Sequence, residues 1–189
     1  MIQAADNFRV ALILGGTRSG KSRYALNLAE RWPEPRLYLA TAEAGDAEMA
    51  ERIARHRRER GGAWDTREVP LELAEALAAA QGKYQVILVD CLTLWLSNLL
   101  GQGQEGAALD AALEGLLAAL KASATPAVLV SNEVGWGIVP DNPLAREFRD
   151  RVGLLHQRLG EVADRVVLLV AGLPLILKPS QSKGGEHGI

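Results

Sequence analysis

Residues 10–22 of the chain read VALILGGTRSGKS. The run from Val10 to Leu14 is short and continuously apolar, which is typical of a strand buried on both faces. The glycines that follow let backbone N–H groups converge on an anion, and the N-terminus of a helix opening at Lys21 favours negative charge. This strand, loop and helix in series predict a phosphate-binding site in an α/β fold.

The spacing Gly15-x-x-x-x-Gly20-Lys21-Ser22 matches the P-loop pattern in its expected structural context. Lys21 is expected to reach the β- and γ-phosphates of a nucleotide, and the Ser22 hydroxyl to bind Mg²⁺. A glycine-rich turn that binds nothing is the alternative. The predicted nucleotide-binding residues of this loop are Gly15, Gly16, Thr17, Arg18, Ser19, Gly20, Lys21 and Ser22.

The rest of the chain predicts an α/β fold with a mostly parallel sheet, since buried strand-like runs alternate with helical segments. The predicted strands are 10–14, 36–41, 85–90, 127–132 and 165–172, and the predicted helices are 22–32, 46–60, 71–81, 107–123 and 143–163. The segment LILK before residue 179 is too close to the fifth strand for a crossover, which predicts an antiparallel edge strand. We expect a single P-loop nucleotide-binding domain over residues 1–178 and a disordered tail at 179–189.

Composition argues against several classes of protein. The net charge of −2 does not predict a nucleic-acid-binding surface, and no apolar stretch approaches the roughly 20 residues of a membrane span. Cys91 is the single cysteine, which excludes an internal disulfide and fits a reducing compartment. The N-terminus lacks the features of a signal peptide. We therefore expect a cytoplasmic protein.

Two further segments contain residues that predict a feature locally: an acid at a strand end and the start of a helix. Asp90 ends the run QVILVD and is expected to face Mg²⁺ from a strand neighbouring the first, although an acid there could also be a turn residue. Asn142 and Pro143 are typical of the first positions of a helix. The apolar stripe predicted to be buried on that helix consists of Leu144, Phe148, Val152, Leu155 and Leu159.

The predicted helix 46–60 places His56 on the same face as Met49 and Ile53. Such a histidine can be a packed residue whose nitrogens are satisfied by neighbours. It can also be a nucleophile that attacks phosphorus, with neighbouring arginines stabilising the developing charge. Periodicity alone leaves both interpretations open.

A family resemblance bears on that choice. The blocks GGTRSGKSRYA, YLATAEAGDAEMAERIARHRRER, WDTREVP, LVDCLTLWLSNLL and SNEVGWGIVPDNPLAREFRDRVG occur in this order. Together they resemble the bifunctional adenosylcobinamide kinase / adenosylcobinamide-phosphate guanylyltransferase family of cobalamin biosynthesis, over about residues 9–178. The resemblance implies phosphorylation of adenosylcobinamide by ATP or GTP, with Mg²⁺. It then implies transfer of GMP from GTP to the new phosphate through a guanylylated histidine.

The same resemblance implies residue roles and an assembly. It assigns the histidine nucleophile to His56 and catalytic phosphate contact to Lys21, and it implies a homotrimer. Nucleotide contacts outside the P-loop are implied for Thr41, Ala42, Arg57, Arg58, Glu59, Arg60, Glu68 and Asp90, and Mg²⁺ contacts for Ser22 and Asp90.

A few positions depart from the family pattern or stay open. Asp90 stands where Glu is common, and His156 stands where the resemblance leads us to expect Asn. Trp95 and Trp136 can pack against a corrin face or belong to the core or to subunit contacts.

Two other functions stay open for the protein. One is a single-activity P-loop kinase with a structural His56, and the other is a nucleotide-switched binding protein that hydrolyses its nucleotide slowly.

Overall fold

The computed structural model describes residues 8–42, 51 and 62–179. One seven-stranded sheet runs through these residues in the order β3-β2-β4-β5-β1-β6-β7. All neighbouring strands are parallel except the last pair, in which β7 is antiparallel to β6. The strands are β1 (Val10–Gly15), β2 (Arg36–Ala40), β3 (Asp65–Glu68), β4 (Val86–Asp90), β5 (Ala127–Asn132), β6 (Arg165–Val170) and β7 (Leu173–Lys178).

Helices cover both faces of the sheet, because the central strands are apolar on both sides. On one face the core includes Ala25 and Leu28 of the helix that follows β1. On the other face the core is filled by side chains from the remaining helices. The described helices are α1 (Lys21–Ala29), α2 (Leu73–Ala80), α3 (Leu92–Gly101), α4 (Gly106–Ala122) and α5 (Pro143–Val162).

The structure confirms the mostly parallel sheet, the helices on its faces and the antiparallel C-terminal edge strand. It adds two elements that the sequence did not predict, β3 and α3. The expectation that Asp90 ends a strand beside β1 is wrong, because β5 lies between β1 and β4. The predicted helix 46–60 and the predicted tail after Pro179 lie outside the described residues.

Helix α5 begins as its sequence predicts. The Asn142 side chain accepts hydrogen bonds from the backbone N–H groups of Leu144 at 2.8 Å and Ala145 at 3.4 Å, and Pro143 follows it. Val152, Leu155 and Leu159 are buried against the sheet, and Phe148 is half-buried. The prediction that Leu144 is buried is wrong, since 61% of it is exposed, and it lies in the first turn of the helix.

A tight turn joins β6 to β7 and contacts the phosphate-binding loop. Ala171 and Gly172 both have positive φ angles, of 52° and 80°, which fit a short hairpin. The Gly172 N–H donates to the Ser19 carbonyl at 3.0 Å. The edge hairpin therefore supports the loop between β1 and α1. None of the helices in the described ranges is both long enough and apolar enough to cross a bilayer.

Candidate active site

The P-loop starts on the last residue of β1 and ends where α1 begins. The Ser19 N–H donates to the Gly16 carbonyl at 3.2 Å, and the Tyr24 N–H donates to the Gly20 carbonyl at 2.9 Å. Gly20 has a φ of 91°, a conformation that glycine adopts without steric cost. The loop therefore closes as a turn over the N-terminus of α1, where backbone N–H groups favour an anion.

Gly15 is the point of closest approach in this loop. A Cβ atom at this position would lie 2.8 Å from the Leu169 carbonyl oxygen of β6, and it would collide with Ser19 Oγ. Ser19 is buried, and within the described part of the chain its Oγ has no hydrogen-bond partner. The loop therefore packs onto β6 only because residue 15 has no side chain.

Lys21 lies at the base of the loop, with only 7% of its surface exposed. Its Nζ donates to the Gly16 carbonyl at 3.1 Å, and an ammonium has three hydrogens to donate. Gly16, Thr17 and Arg18 are exposed along the outer side of the loop. A buried cation beneath an exposed loop of N–H groups is suited to bind the phosphates of a nucleotide.

Asp90 is at the C-terminal end of β4 and is half-buried. Its Oδ2 accepts a hydrogen bond from Tyr38 Oη at 3.1 Å. Burial raises the pKa of the Cys91 thiol, the Asp90 carboxylate raises it further, and the Lys21 ammonium is among the groups that lower it. Asp90 at the end of β4 and Lys21 at the start of α1 therefore both act electrostatically on the same buried thiol.

The Ser22 hydroxyl and the Asp90 carboxylate are hard oxygen donors of the kind that Mg²⁺ takes. Magnesium is commonly held by one or two protein ligands together with substrate phosphates and water. The described residues contain no group of three or more His, Cys, Asp or Glu suited to a metal, so a site built by protein side chains alone is not present among them. These residues fit a Mg²⁺ ion that arrives with a nucleotide.

Buried hydroxyl groups tie the C-terminal edges of β2, β4 and β5 together. Thr41 Oγ1 donates to the Cys91 carbonyl at 2.7 Å and accepts from the Cys91 N–H at 2.8 Å. Thr93 Oγ1 accepts from Asn132 Nδ2 at 3.0 Å and lies 3.1 Å from Cys91 Sγ. Tyr38 and Thr93 were not predicted from the sequence, and their only signal was a polar group close to a strand end.

The predicted nucleotide contacts outside the P-loop divide into two sets. Ala40 pairs with both Asp90 and Glu68 across the sheet, so Thr41, Ala42, Glu68 and Asp90 share its C-terminal edge. Thr41 is fully buried and contacts protein groups, whereas Ala42 is half-buried and Glu68 is exposed. His56 and the residues Arg57, Arg58, Glu59 and Arg60 lie outside the described residues.

The two tryptophans have different environments. Trp95 is 1% exposed, and its Nε1 donates to the Leu71 carbonyl at 2.8 Å, so it belongs to the core. Trp136 is 76% exposed in the loop between β5 and α5, next to Ile138, which is 96% exposed. That loop begins at Glu133, whose N–H donates to the Gly15 carbonyl at 3.0 Å. Trp136 is therefore exposed on a loop whose first residue is hydrogen-bonded to the P-loop.

Sequence comparison finds close relatives along nearly the whole described chain. Residues 11–177 match the model of a family described as cobinamide kinase / cobinamide phosphate guanyltransferase. The chain is 48% identical over 167 residues to the bifunctional adenosylcobalamin biosynthesis protein CobP of Pseudomonas aeruginosa, covering 88% of this chain and 96% of that one. It is 40% identical over 179 residues to CobU of Salmonella typhimurium, covering 88% and 98%.

Solved structures similar to this one have the same fold at low identity. The flagellar accessory protein FlaH from Methanocaldococcus jannaschii aligns with a TM-score of 0.54 at 13% identity, over 94% of this chain and 81% of that one. The RadB recombinase aligns with a TM-score of 0.52 at 14% identity, over 84% and 73%. These likenesses concern the fold, which is that of P-loop NTPases.

Proposed function

The chain belongs to the cobinamide kinase / cobinamide phosphate guanyltransferase family, and we propose that it carries out both reactions from the C-terminal edge of its sheet. It is a bifunctional enzyme that phosphorylates cobinamide and then guanylylates the product. The observation that carries this conclusion is the complete P-loop between β1 and α1, in a chain that its relatives match over 88% of its length. We further propose that the natural substrate is adenosylcobinamide.

The kinase step is assigned to the P-loop. The hydroxyl of the substrate attacks the γ-phosphorus of ATP or GTP, and the nucleoside diphosphate leaves with the electrons of the broken P–O bond. Lys21 and the N–H groups of residues 15–22 bind the phosphates and offset charge that moves to the leaving group. Mg²⁺, held by Ser22 and Asp90, would neutralise part of the phosphate charge. Tyr38 orients Asp90 for that role through its hydrogen bond.

The guanylyl transfer is assigned to His56. A neutral imidazole nitrogen attacks the α-phosphorus of GTP, and pyrophosphate leaves. A phosphate oxygen of cobinamide phosphate then attacks the same phosphorus, and the histidine leaves. We assign binding of this nucleotide to Ala42, Arg57, Arg58, Glu59, Arg60 and Glu68, with Thr41 beneath Ala42. The position of Thr41, Ala42 and Glu68 at the end of β2 and β3 supports this, since ligands of parallel sheets bind at the C-terminal edge.

We also propose that residues 1–178 form one domain and that three copies assemble. The single sheet of the described residues supports one domain. Edge strand β7 supports assembly, because more than half of the surface of Leu173, Leu175, Ile176 and Leu177 is exposed. A long apolar edge strand is a liability for a monomer unless another surface covers it.

Incubation with α-labelled GTP tests the covalent step directly. We expect a label that resists base and is released by acid, as a phosphoramidate is, and that passes to cobinamide phosphate when this is added. The chain has three histidines, His56, His156 and His187. The variant His56→Ala should take up no label, whereas the matched variant His187→Ala should be labelled like the wild type.

The kinase assay separates the alternatives. A chain that phosphorylates cobinamide but takes up no label would be a single-activity kinase with a structural His56. A chain that neither phosphorylates cobinamide nor takes up label would contradict both proposed activities. Label that persists in His56→Ala would contradict the assignment of the nucleophile.

A further inference from the structure

The backbone of Glu133 contacts the P-loop, its carboxylate faces the imidazole of His156, and neither side chain has a part in the two reactions described above. Glu133 directly follows β5, and its N–H donates to the Gly15 carbonyl at 3.0 Å. Its Oε1 accepts from the Gly135 N–H at 2.7 Å, and its Oε2 lies 3.6 Å from Nδ1 of His156. The side chain of Glu133 is 20% exposed, so the carboxylate retains access to solvent. Glu133 is thus joined to the start of the P-loop through its own backbone.

His156 lies behind this carboxylate and is held in place from its other side. Its Nε2 is 2.7 Å from Oγ of the fully buried Ser131. Burial lowers the pKa of His156, and the negative charge of Glu133 opposes that change. A neutral imidazole has one donor and one acceptor nitrogen. With the proton on Nδ1, it accepts from Ser131 and directs its N–H towards Glu133.

Charged groups on the neighbouring elements have partners of their own. On α5, Arg151 contacts Asp110 of α4 at 3.0 Å, and Arg158 forms an ion pair with Glu114 of the same helix. From the P-loop, Lys21 Nζ donates to the Gly16 carbonyl. On β4, Asp90 accepts from Tyr38. Within the described residues, the Glu133 carboxylate and the His156 imidazole face each other as a pair.

Glu133 follows β5, the strand next to β1, and its carboxylate keeps some exposure to solvent, so it can accept a proton at this edge of the sheet. The kinase step requires a proton acceptor, because an alcohol must lose a proton when it attacks phosphorus. Resting on the proposed kinase activity, we propose that Glu133 is the catalytic base of phosphoryl transfer and that His156 is a positioning residue for its carboxylate.

Phosphoryl transfer forms one P–O bond, breaks another and releases one proton from the substrate hydroxyl. The substrate oxygen forms a bond to the γ-phosphorus while the bond from that phosphorus to the bridging oxygen breaks, and its electron pair leaves with the nucleoside diphosphate. The hydroxyl proton passes to Glu133 Oε2 and is later released to solvent. Guanylyl transfer has no such requirement, since its acceptor is a phosphate oxygen that is already ionised near neutral pH.

Separate assays of the two reactions on the full chain test this assignment. In Glu133→Gln we expect the kinase kcat to fall by about 10²–10⁴-fold, with a smaller change in the KM for nucleotide. The pH profile of the residual kinase rate in Glu133→Gln should differ from that of the wild type, because the proposed base is absent. Glu133→Asp should recover part of the rate. Labelling by α-labelled GTP is measured on the same preparations.

The positioning role of His156 has its own comparison. The variant His156→Leu should lower the kinase kcat and change its pH profile, and His156→Asn, which keeps a donor and an acceptor, should recover part of both. Glu147→Gln, a change of the same type at an exposed acid of α5, is the control and should leave the kinase unchanged.

Two results would overturn the proposed role of Glu133 without contradicting the kinase activity. One is a Glu133→Gln variant whose kinase kcat and pH profile match the wild type. The other is a parallel loss of phosphorylation and labelling, together with a lower urea midpoint, which would make Glu133 a structural residue. A wild-type chain that takes up label but phosphorylates no cobinamide would instead overturn the proposed kinase activity, and this inference with it.

Discussion

Adjacent glycines of the P-loop have opposite steric environments, which gives a prediction for each. A methyl group at residue 15 would lie 2.8 Å from the Leu169 carbonyl, whereas a methyl group at residue 16 would meet no described atom within 4 Å. Gly15→Ala should therefore lower the free energy of unfolding by about 1–3 kcal/mol, the usual cost of forcing atoms into a packed site. Gly16→Ala should change it by less than about 0.5 kcal/mol. Urea unfolding of both variants checks this, and equal midpoints would contradict it.

The buried His156 should make the free energy of unfolding depend on pH. Its pKa in the folded chain is below the ordinary value of 6.5, chiefly because it is buried. The unfolded chain therefore binds more protons in this range, and stability falls as pH drops from about 6.5 towards the lower folded pKa. The wild type should lose more unfolding free energy than His156→Asn between about pH 7.5 and about pH 5. Groups common to both proteins cancel in that difference, and parallel losses would contradict the assignment.

The residues of the site differ in how far the sequence could predict them. The P-loop positions follow from residue type and spacing within a few residues of chain, and the structure has the predicted strand, loop and helix there. Tyr38 reaches Asp90 across 52 positions of sequence, and Thr93 reaches Asn132 across 39. Such contacts depend on which strands are neighbours, and no local pattern encodes that.

Among the secondary-structure elements, the two that were missed have patterns without a usable period. Strand β3 reads DTRE and is exposed at every position, so it lacks the apolar run that identified the other strands. It forms because its backbone pairs with β2. Helix α3 reads LTLWLSNLLG and is buried over most of its surface, so it has no polar face to mark a helical period. A hydrophobic period can be recognised only where one side of an element is exposed and the other is buried.

The start of helix α5 was predictable because it depends on one side chain and its immediate neighbours. The Asn142 side chain accepts from two N–H groups of the first turn that otherwise lack partners within the helix. Asn142→Ala should lower the free energy of unfolding by about 1 kcal/mol. The neighbouring exposed change Asp141→Ala should stay within about 0.5 kcal/mol of the wild type, because its side chain caps nothing in the described structure. Thermal or urea unfolding checks the pair, and an equal loss in both would refute the cap.

At the scale of the whole molecule, the strand order decides how wide the site is. Strands β4 and β5 lie between β2 and β1, so the end of β2 is about 14 Å from the P-loop strand at the usual strand spacing. The sequence predicted parallel strands but contained no information on their order. This width gives room for a phosphoryl acceptor and a guanylyl donor along one edge, which a sheet with β2 beside β1 would not.

The apolar surface of β7 predicts an assembly that one substitution should disrupt. Leu175 on β7 is 55% exposed and Leu154 on α5 is 51% exposed, so they match in residue type and exposure. If copies associate through β7, Leu175→Lys places a charge in the interface, and burying an unpaired charge is costly. We expect light scattering to give the wild type and Leu154→Lys a mass near three times the 20.3 kDa of one chain, and Leu175→Lys a lower mass. A monomeric wild type would contradict the trimer, and a trimeric Leu175→Lys would move the interface away from β7.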